Sequence, residues 1–331
     1  MNQSTKPPKP FVVAHGDVNQ SRSAQATAAL RGAVVAIGNF DGVHRGHRAV
    51  IGAAMARAAR LGVPAAAFTF EPHPRVFLRP GEPLFRLTPE PTKLRLLAAT
   101  GLDGAIVLNF DAGLAALSAE GFIAEILVGR FAISGAVIGF DFHFGHKRSG
   151  SPAFLSAQGQ MRGFGVDVVP PLEDEGRPVS SGTIRTALEA GRVVEAAELI
   201  GHPWFVTGEV IHGEKRGREL GFPTANMALD PGCALKHGIY AVRVAVGGRQ
   251  YNGVASFGRR PTFDNGSALL EIFLFDFAGD LYGQTLDVAL IGWIRPELRF
   301  DSAQDLIKRM HEDADQARQI LARTPDVFPP I

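Results

Sequence analysis

Short apolar runs alternate with helix-period patterns through about residue 186, and after about residue 205 the strand patterns continue without helices between them. The first stretch offers Val34–Ile37, Ala65–Phe70, Ala105–Leu108, Ala136–Gly139 and Val166–Val169 as strands. Among the helical patterns the clearest runs from Gly46 to Leu61, with Val50, Ile51, Ala54, Met55, Ala58 and Leu61 as its apolar stripe. Phe122, Ile123, Ile126 and Leu127 make a second stripe. Near-continuous apolar strands separated by helices predict an α/β domain with a parallel, Rossmann-like sheet covered on both faces. Ligands of such sheets bind at the carboxyl ends of the strands.

In the second stretch, Phe205–Ile211, Ile239–Val246, Gln250–Ser256, Leu269–Phe275 and Thr285–Ile291 read as strands. Tyr240, Val242, Val244 and Val246 alternate with Ala241, Arg243 and Ala245, the period-two mark of a half-buried strand, and Gly247-Gly248 supplies a hairpin turn. The pattern predicts an antiparallel sheet or β-barrel closed by a C-terminal helix from about Ser302 to Leu321, where Ser302 and Asp305 make a capping-box-like start. Residues 187–203 are helical in pattern, and no internal repeat is visible. The expected division is residues 1–186 and 187–331.

The chain of 331 residues carries 34 basic and 33 acidic side chains, so it has no broad electrostatic footprint for nucleic acid. One cysteine, Cys233, rules out an internal disulfide and suits a reducing cytoplasm. The polar, proline-rich start Met1–Pro10 lacks a signal-peptide pattern and is expected to be disordered. No apolar run approaches the ~18–20 residues of a membrane span, so no membrane partner is expected.

Residues Gly38-Asn39-Phe40-Asp41-Gly42-Val43-His44-Arg45-Gly46-His47 join an apolar strand to a helix. A glycine-bearing turn at that junction can aim backbone N–H groups at an anion. His44 and His47, three apart, stand on one side of the first helical turn, where they could donate hydrogen bonds or charge to a triphosphate. Two plainer readings stay open: a capped turn with solvated histidines, and half of a metal site, although no further ligand lies nearby at metal spacing. Nowhere is there a GxxxxGK[ST] sequence, which argues against a P-loop enzyme.

The decapeptide resembles the HxGH signature of the nucleotidyltransferase superfamily, in the GxFDGxHxGH form of bacterial FAD synthetases. That resemblance implies transfer of AMP from ATP to a phosphate, with His44 and His47 catalytic and Gly38, Asn39, Phe40, Asp41 and Gly42 at the nucleotide. Glu71-Pro72-His73-Pro74-Arg75 follows the second strand at the same sheet edge as the decapeptide, where its residues are expected to shape the substrate site or to form only a proline-stiffened loop. Phe140–Arg148 interleaves aromatics with bases, which suits either a stacked ring or domain core. It is similar to the family's GxDFxFGxxRxG stretch, with Asp141 in place and His143 where arginine is common. Ser180-Ser181-Gly182-Thr183-Ile184-Arg185 offers hydroxyls, helix N-terminal amides and a guanidinium to a phosphate, or merely an N-cap. It looks like the family's SSTxIR motif, which implies phosphate contacts for Ser180 and Ser181 and a catalytic Arg185. Gly182 departs from it, standing where threonine or serine is usual.

Gly217-Arg218-Glu219-Leu220-Gly221-Phe222-Pro223-Thr224-Ala225-Asn226 is similar to the GRxLGFPTAN motif of riboflavin kinases. Gly217 and Gly221 allow backbone close to a phosphate, and Thr224 and Asn226 offer neutral oxygens to Mg²⁺. The resemblance also implies that Arg218 and Pro223 line the ATP site. Glu271 sits in the apolar run Leu269–Phe275, where the residues alone favour a solvated face. With Asp276–Gly283 the run resembles the family's ExHLxDFxxDLYG pattern, which implies that Glu271 is the catalytic base; Phe273 replaces the common histidine. Gly253–Phe263 and Ile294–Glu297 also resemble family segments, with loop roles equally open, and Asn265-Gly266-Ser267 reads as a turn.

Together the motifs identify the chain as resembling bacterial bifunctional riboflavin kinases and FAD synthetases. Expected is ATP- and Mg²⁺-dependent phosphorylation of riboflavin to FMN, then adenylylation of FMN to FAD with release of pyrophosphate. Two alternatives are a kinase whose N-terminal half has decayed, supported only by Gly182, and a non-catalytic flavin-binding protein.

Overall fold

A computed structural model describes residues 10–17, 23–211, 224–259 and 268–329. The chain divides into two compact units: the first runs to Leu84 and resumes over Thr88–Val179, and the second takes Phe85–Leu87 and everything from Ser180 to Pro330.

In the first unit β1 (Val12–Gly16), α1 (Ala24–Ala29), β2 (Val34–Ile37), α2 (Arg45–Leu61), β3 (Ala65–Glu71), α3 (Pro74–Leu78), α4 (Glu90–Ala98), β4 (Gly104–Asn109), α5 (Ala112–Ala116), α6 (Ala119–Gly121), β5 (Gly135–Gly139), α7 (Pro152–Arg162) and β6 (Gly165–Val169) follow in order. A two-residue hairpin, β7 (Glu173–Asp174) and β8 (Arg177–Pro178), closes the unit. The six long strands form one parallel sheet in the order β1-β4-β3-β2-β5-β6. All five expected strands are present. The sixth, β1, lies at the sheet edge beside β4, in a stretch just after the proline-rich start that the sequence left unassigned.

Every residue of β2 is at most 2% exposed, as a strand covered on both faces requires. Val35 and Ile37 join Phe68, Ile106 and Ile138 in one core, together with Phe122, Ile123, Ile126 and Leu127. Those four lie on a π-helical stretch, Phe122–Arg130, that continues α6. On α2, Val50, Ile51, Ala54 and Ala58 are buried as predicted, but Leu61 is exposed, because the helix ends there at the left-handed cap Gly62 (φ 69°).

The second unit begins with α8 (Ser181–Glu189) and α9 (Val193–Ile200). Six antiparallel strands then close a barrel: β9 (Phe205–Ile211), β10 (Ala225–Ala228), β11 (Gly238–Val246), β12 (Arg249–Arg259), β13 (Ala268–Leu274) and β14 (Thr285–Arg295), in the order β10-β13-β12-β11-β14-β9. The β11–β12 turn is Gly247-Gly248, with φ of 56° and 76°, a conformation that glycine adopts without strain. Strand β10, Ala-Asn-Met-Ala, was not predicted; alanine and asparagine carry little strand signal.

The C-terminal helix α10 (Ala303–Arg323) packs on β11, β12 and β14. Ser302 caps it, its Oγ accepting from Asp305 N at 3.1 Å. Arg295 at the end of β14 grips Asp313 of α10 with two bonds of 2.8 and 2.5 Å. At the other end Arg243 donates to the carbonyls of Leu321 and Thr324, a cation meeting the unsatisfied carbonyl end of a helix.

Candidate active sites

The sheet order places the topological switch point between β2 and β5, because the chain builds outward from β2 on one side and returns on the other. The decapeptide follows β2, and Phe140–Gly150 follows β5, so the two loops flank that switch. His44 is the N-cap of α2, and its Nδ1 accepts from His47 N at 3.3 Å. That bond leaves the proton of a neutral His44 ring on Nε2, which is then a donor. The His44 and His47 rings stack with centroids 3.6 Å apart, and Phe40 meets His47 edge-on at 5.3 Å. A Cβ at Gly46 would lie 3.2 Å from the His44 ring and from the carbonyl of Val179, closer than a Cβ ordinarily comes, so the tight turn favours glycine there. Among the described residues no group of three or more His, Cys, Asp or Glu side chains could hold a metal ion.

The turn itself is held from below. Phe40 and Val43 are non-glycine residues with positive φ, 51° and 39°, and both are buried. Asp41 is turned inward: its Oδ1 accepts from Thr88 N at 2.9 Å and from Thr88 Oγ1 at 3.3 Å, while Gly42 N donates to Thr88 Oγ1 at 2.9 Å. Arg48 Nε donates to the Val43 carbonyl at 3.2 Å. The sequence pointed to Asp41 but gave no sign of Thr88 or Arg48, which lie outside any motif.

In the loop after β5, Phe144 is buried in the core and Phe142 stacks on it at 5.4 Å, so these two aromatics are packing. Phe140 is 51% exposed, and Asp141 is exposed beside it. After β3, Glu71 pairs with a lysine of α4, and His73 caps α3 by accepting from Arg75 N at 3.2 Å. Ser180 caps α8, with Oγ accepting from Thr183 N at 3.1 Å, and Arg185 Nε donates to the Phe85 carbonyl at 2.6 Å. Ser181 opens α8, which belongs with the second unit.

In the barrel, Glu271 of β13 stands opposite Asn226 of β10 on one side and Ser256 of β12 on the other. Leu270, Ile272 and Leu274 are buried, so the alternation turns Glu271 to the other face of the wall, where it is half-buried. Asn226 is 5% exposed, and its Oδ1 has no hydrogen-bond partner among the described residues. A buried amide oxygen beside a carboxylate fits a hard cation, which takes few protein oxygens when phosphate supplies others. Thr224 lines a cavity of about 100 Å³ with Asp280, Leu281 and Tyr282 from the loop that follows β13. Gly217, Arg218, Gly221 and Pro223 lie outside the described residues, as do Arg260–Phe263 and Asn265–Ser267.

A parallel-sheet unit with an HxGH turn and a six-stranded barrel with a carboxylate on its wall define a two-domain nucleotide-dependent transferase. The chain matches the family model described as FAD synthetase over residues 26–183, and the riboflavin kinase model over residues 200–321. It is 41% identical over 297 residues to the bifunctional riboflavin kinase/FMN adenylyltransferase of Pseudomonas fluorescens, covering 88% of this chain and 94% of that one. The enzymes of the same description from Escherichia coli K12 and Bacillus subtilis 168 are each 37% identical, covering 90% and 86% of this chain and 95% and 91% of theirs. A crystal structure described as a macrolide-efflux protein from Streptococcus pneumoniae is 33% identical, with a TM-score of 0.79, covering 87% of this chain and 94% of that one. The chain belongs to the bifunctional riboflavin kinase/FMN adenylyltransferase family. It is an enzyme with both activities, using ATP to make FMN from riboflavin and FAD from FMN. ATP-dependent enzymes of these two kinds generally need a divalent metal. Among the described residues no helix is long and apolar enough to cross a membrane.

Proposed function

We propose that residues 187–331 phosphorylate riboflavin, with Glu271 as the base, and that residues 1–186 adenylylate the FMN so formed. The observation that carries the kinase assignment is the Asn226–Glu271 pair, a buried amide oxygen that no described residue satisfies, directly across from a carboxylate. A ribityl hydroxyl is a poor nucleophile until its proton is taken. Glu271 accepts that proton as the oxygen bonds to the γ-phosphorus of ATP and ADP leaves. Thr224 and Asn226 would hold Mg²⁺, which when bound neutralises charge on the ATP phosphates. Gly217, Arg218, Gly221 and Pro223 are assigned to the ATP phosphates from the motif alone.

Adenylyl transfer makes a different demand. The FMN phosphate is already anionic, so no base is needed when its oxygen attacks the α-phosphorus and pyrophosphate leaves. His44 offers Nε2–H, and His47, stacked on it, offers a second imidazole beside the same turn. Gly38, Asn39, Phe40 and Gly42 supply the backbone of the nucleotide-binding turn, and Asp41 shapes it through Thr88. Asp141, Ser180, Ser181 and Arg185 are assigned to substrate and phosphates of the same reaction through their motifs. One cysteine and a dependence on ATP suit the cytoplasm.

The test is a time course of purified protein with riboflavin, ATP and Mg²⁺, with the flavins separated by chromatography. FMN appearing first and FAD following is the expected result. FMN that accumulates without FAD overturns the adenylyl-transfer assignment, and no FMN overturns the kinase assignment.

A further inference from the structure

Lys93, on α4, is 1% exposed, although an ammonium is costly to bury unless it is paired and hydrogen-bonded. Its Nζ lies 2.6 Å from a Glu71 carboxylate oxygen. It also donates to Thr69 Oγ1 at 3.2 Å and to the carbonyls of Asn39 and Phe70, each at 3.4 Å. Thr69, fully buried, uses its own hydroxyl proton on the same Asn39 carbonyl at 3.2 Å. Two donors, Thr69 from β3 and Lys93 from α4, therefore converge on one carbonyl of the turn that carries the HxGH signature.

Packing alone does not call for this arrangement. Leu96 and Leu97, further along α4, are fully buried, and an apolar side chain of similar length would extend that face. A buried ion pair is weak grounds for stability, since well-packed apolar replacements are often as stable. What Lys93 adds is direction. A trans peptide is planar, with its C=O and N–H pointing opposite ways. Drawing the Asn39 carbonyl toward Lys93 and Thr69 aims the Phe40 N–H away from them. Phe40 then follows at φ 51°, a conformation that persists only where the surroundings impose it.

We propose that Lys93 is a positioning residue for adenylyl transfer, fixing the Asn39–Phe40 peptide so that the turn presents its N–H groups to the nucleotide phosphates. Buried and paired with Glu71, it does not touch phosphate itself. The inference rests on the adenylyl-transfer reading above and extends it to a residue outside every motif.

The experiment uses the full chain and compares wild type, E71Q, K93M and the double variant K93M/E71Q. Measured are kcat and KM for ATP in FAD formation from supplied FMN, riboflavin phosphorylation by the same preparation, and the thermal midpoint. K93M takes the ammonium away from Glu71, and the double variant removes the carboxylate charge as well. The double variant, read against E71Q, is expected to melt near wild type and to phosphorylate riboflavin at the wild-type rate. Its kcat for FAD formation is expected to fall on the order of 100-fold. A wild-type kcat in the double variant overturns the inference, as does a loss shared equally by both activities. T69V keeps the ion pair and removes one donor from the Asn39 carbonyl, with an expected kcat loss of about tenfold. If the double variant does not fold, a wild-type kcat in T69V overturns the inference. A wild-type chain that makes no FAD from FMN sinks the adenylyl-transfer reading, and this inference with it.

Discussion

Asn226 and Glu271 face each other across the antiparallel β10–β13 pair. The register that joins them is set by their neighbours: Ile272 pairs with Ala225 and Leu270 with Met227, and all four are buried. A slip of one residue would drive Glu271 into the apolar interior. The sequence thus fixes the position of a carboxylate through the leucine and isoleucine on either side of it.

If Glu271 takes the proton of the ribityl hydroxyl, E271Q keeps the shape and loses the base. Riboflavin phosphorylation is expected to fall by about 10²- to 10⁴-fold, while FAD formation from supplied FMN stays at the wild-type rate. Separating the flavins after each reaction gives both rates. Kinase turnover within a few-fold of wild type would remove Glu271 from the base role.

Asn226→Ala removes the buried oxygen that no described residue satisfies. The Mg²⁺ concentration giving half-maximal kinase rate is expected to rise about tenfold or more. A titration at saturating ATP and riboflavin measures it. An unchanged Mg²⁺ dependence would take Asn226 out of the metal site.

His44 caps α2, and the proposed adenylyl transfer gives it a second task that substitution can separate from the first. Asparagine at an N-cap accepts from the helix amides as His44 Nδ1 does, but it has no imidazole Nε2–H. H44N is therefore expected to melt near wild type and to lose about 10²- to 10³-fold in FAD formation. H44A loses the same activity and about 1 kcal/mol of stability besides, because the cap goes too. Melting curves and FAD assays on the two variants decide between cap and catalyst.

How much of this was legible varies with the physics behind each feature. Val34–Ile37 and the other sheet strands were readable because burial on both faces leaves an uninterrupted apolar run. The alternation of Tyr240, Val242 and Val244 marked the barrel wall for the opposite reason, one face in and one out. Strand β10 escaped because its pairing, not its composition, makes it a strand. Lys93 and Thr88 escaped because their work is done by contacts 54 and 46 residues away in the chain, which no local pattern records. Phe142 and Phe144 stayed open between ring stacking and core in the sequence, because aromatics serve both; Phe144 lies in the core and Phe142 packs against it.

Gly182 is the residue at which the chain departs from its family's phosphate motif. An added Cβ there would meet only Ser180 Oγ, at 3.6 Å, an ordinary contact. The site is in the first turn of α8 with helical backbone, so nothing requires glycine. Gly182→Thr is expected to fold, to stabilise the helix by about 0.3 to 0.5 kcal/mol, and to raise kcat/KM for ATP in FAD formation. A fall in kcat/KM with the fold intact would show that the missing hydroxyl is an adaptation of this chain.

Cys233 gives the second unit a pH limit. Burial pushes its thiol from 9.0 up to about 11, assisted by the charge of Asp230 and opposed by a backbone hydrogen bond from Leu235. The unfolded thiol ionises near 9 and the folded one near 11, so rising pH favours the unfolded state between those values. The contribution is fully present below pH 9 and is lost by pH 11, with about 1.4 kcal/mol gone at pH 10. Burial also pushes the Tyr240 phenol up, which adds a further loss above pH 10. Cys233→Ser cannot titrate in this range but retains Tyr240, so comparing the two proteins isolates the thiol. Urea unfolding at pH 8 and pH 10 is expected to show the wild type losing about 1.4 kcal/mol more than Cys233→Ser. Equal losses would mean that the thiol ionises in the folded state as readily as in the unfolded one.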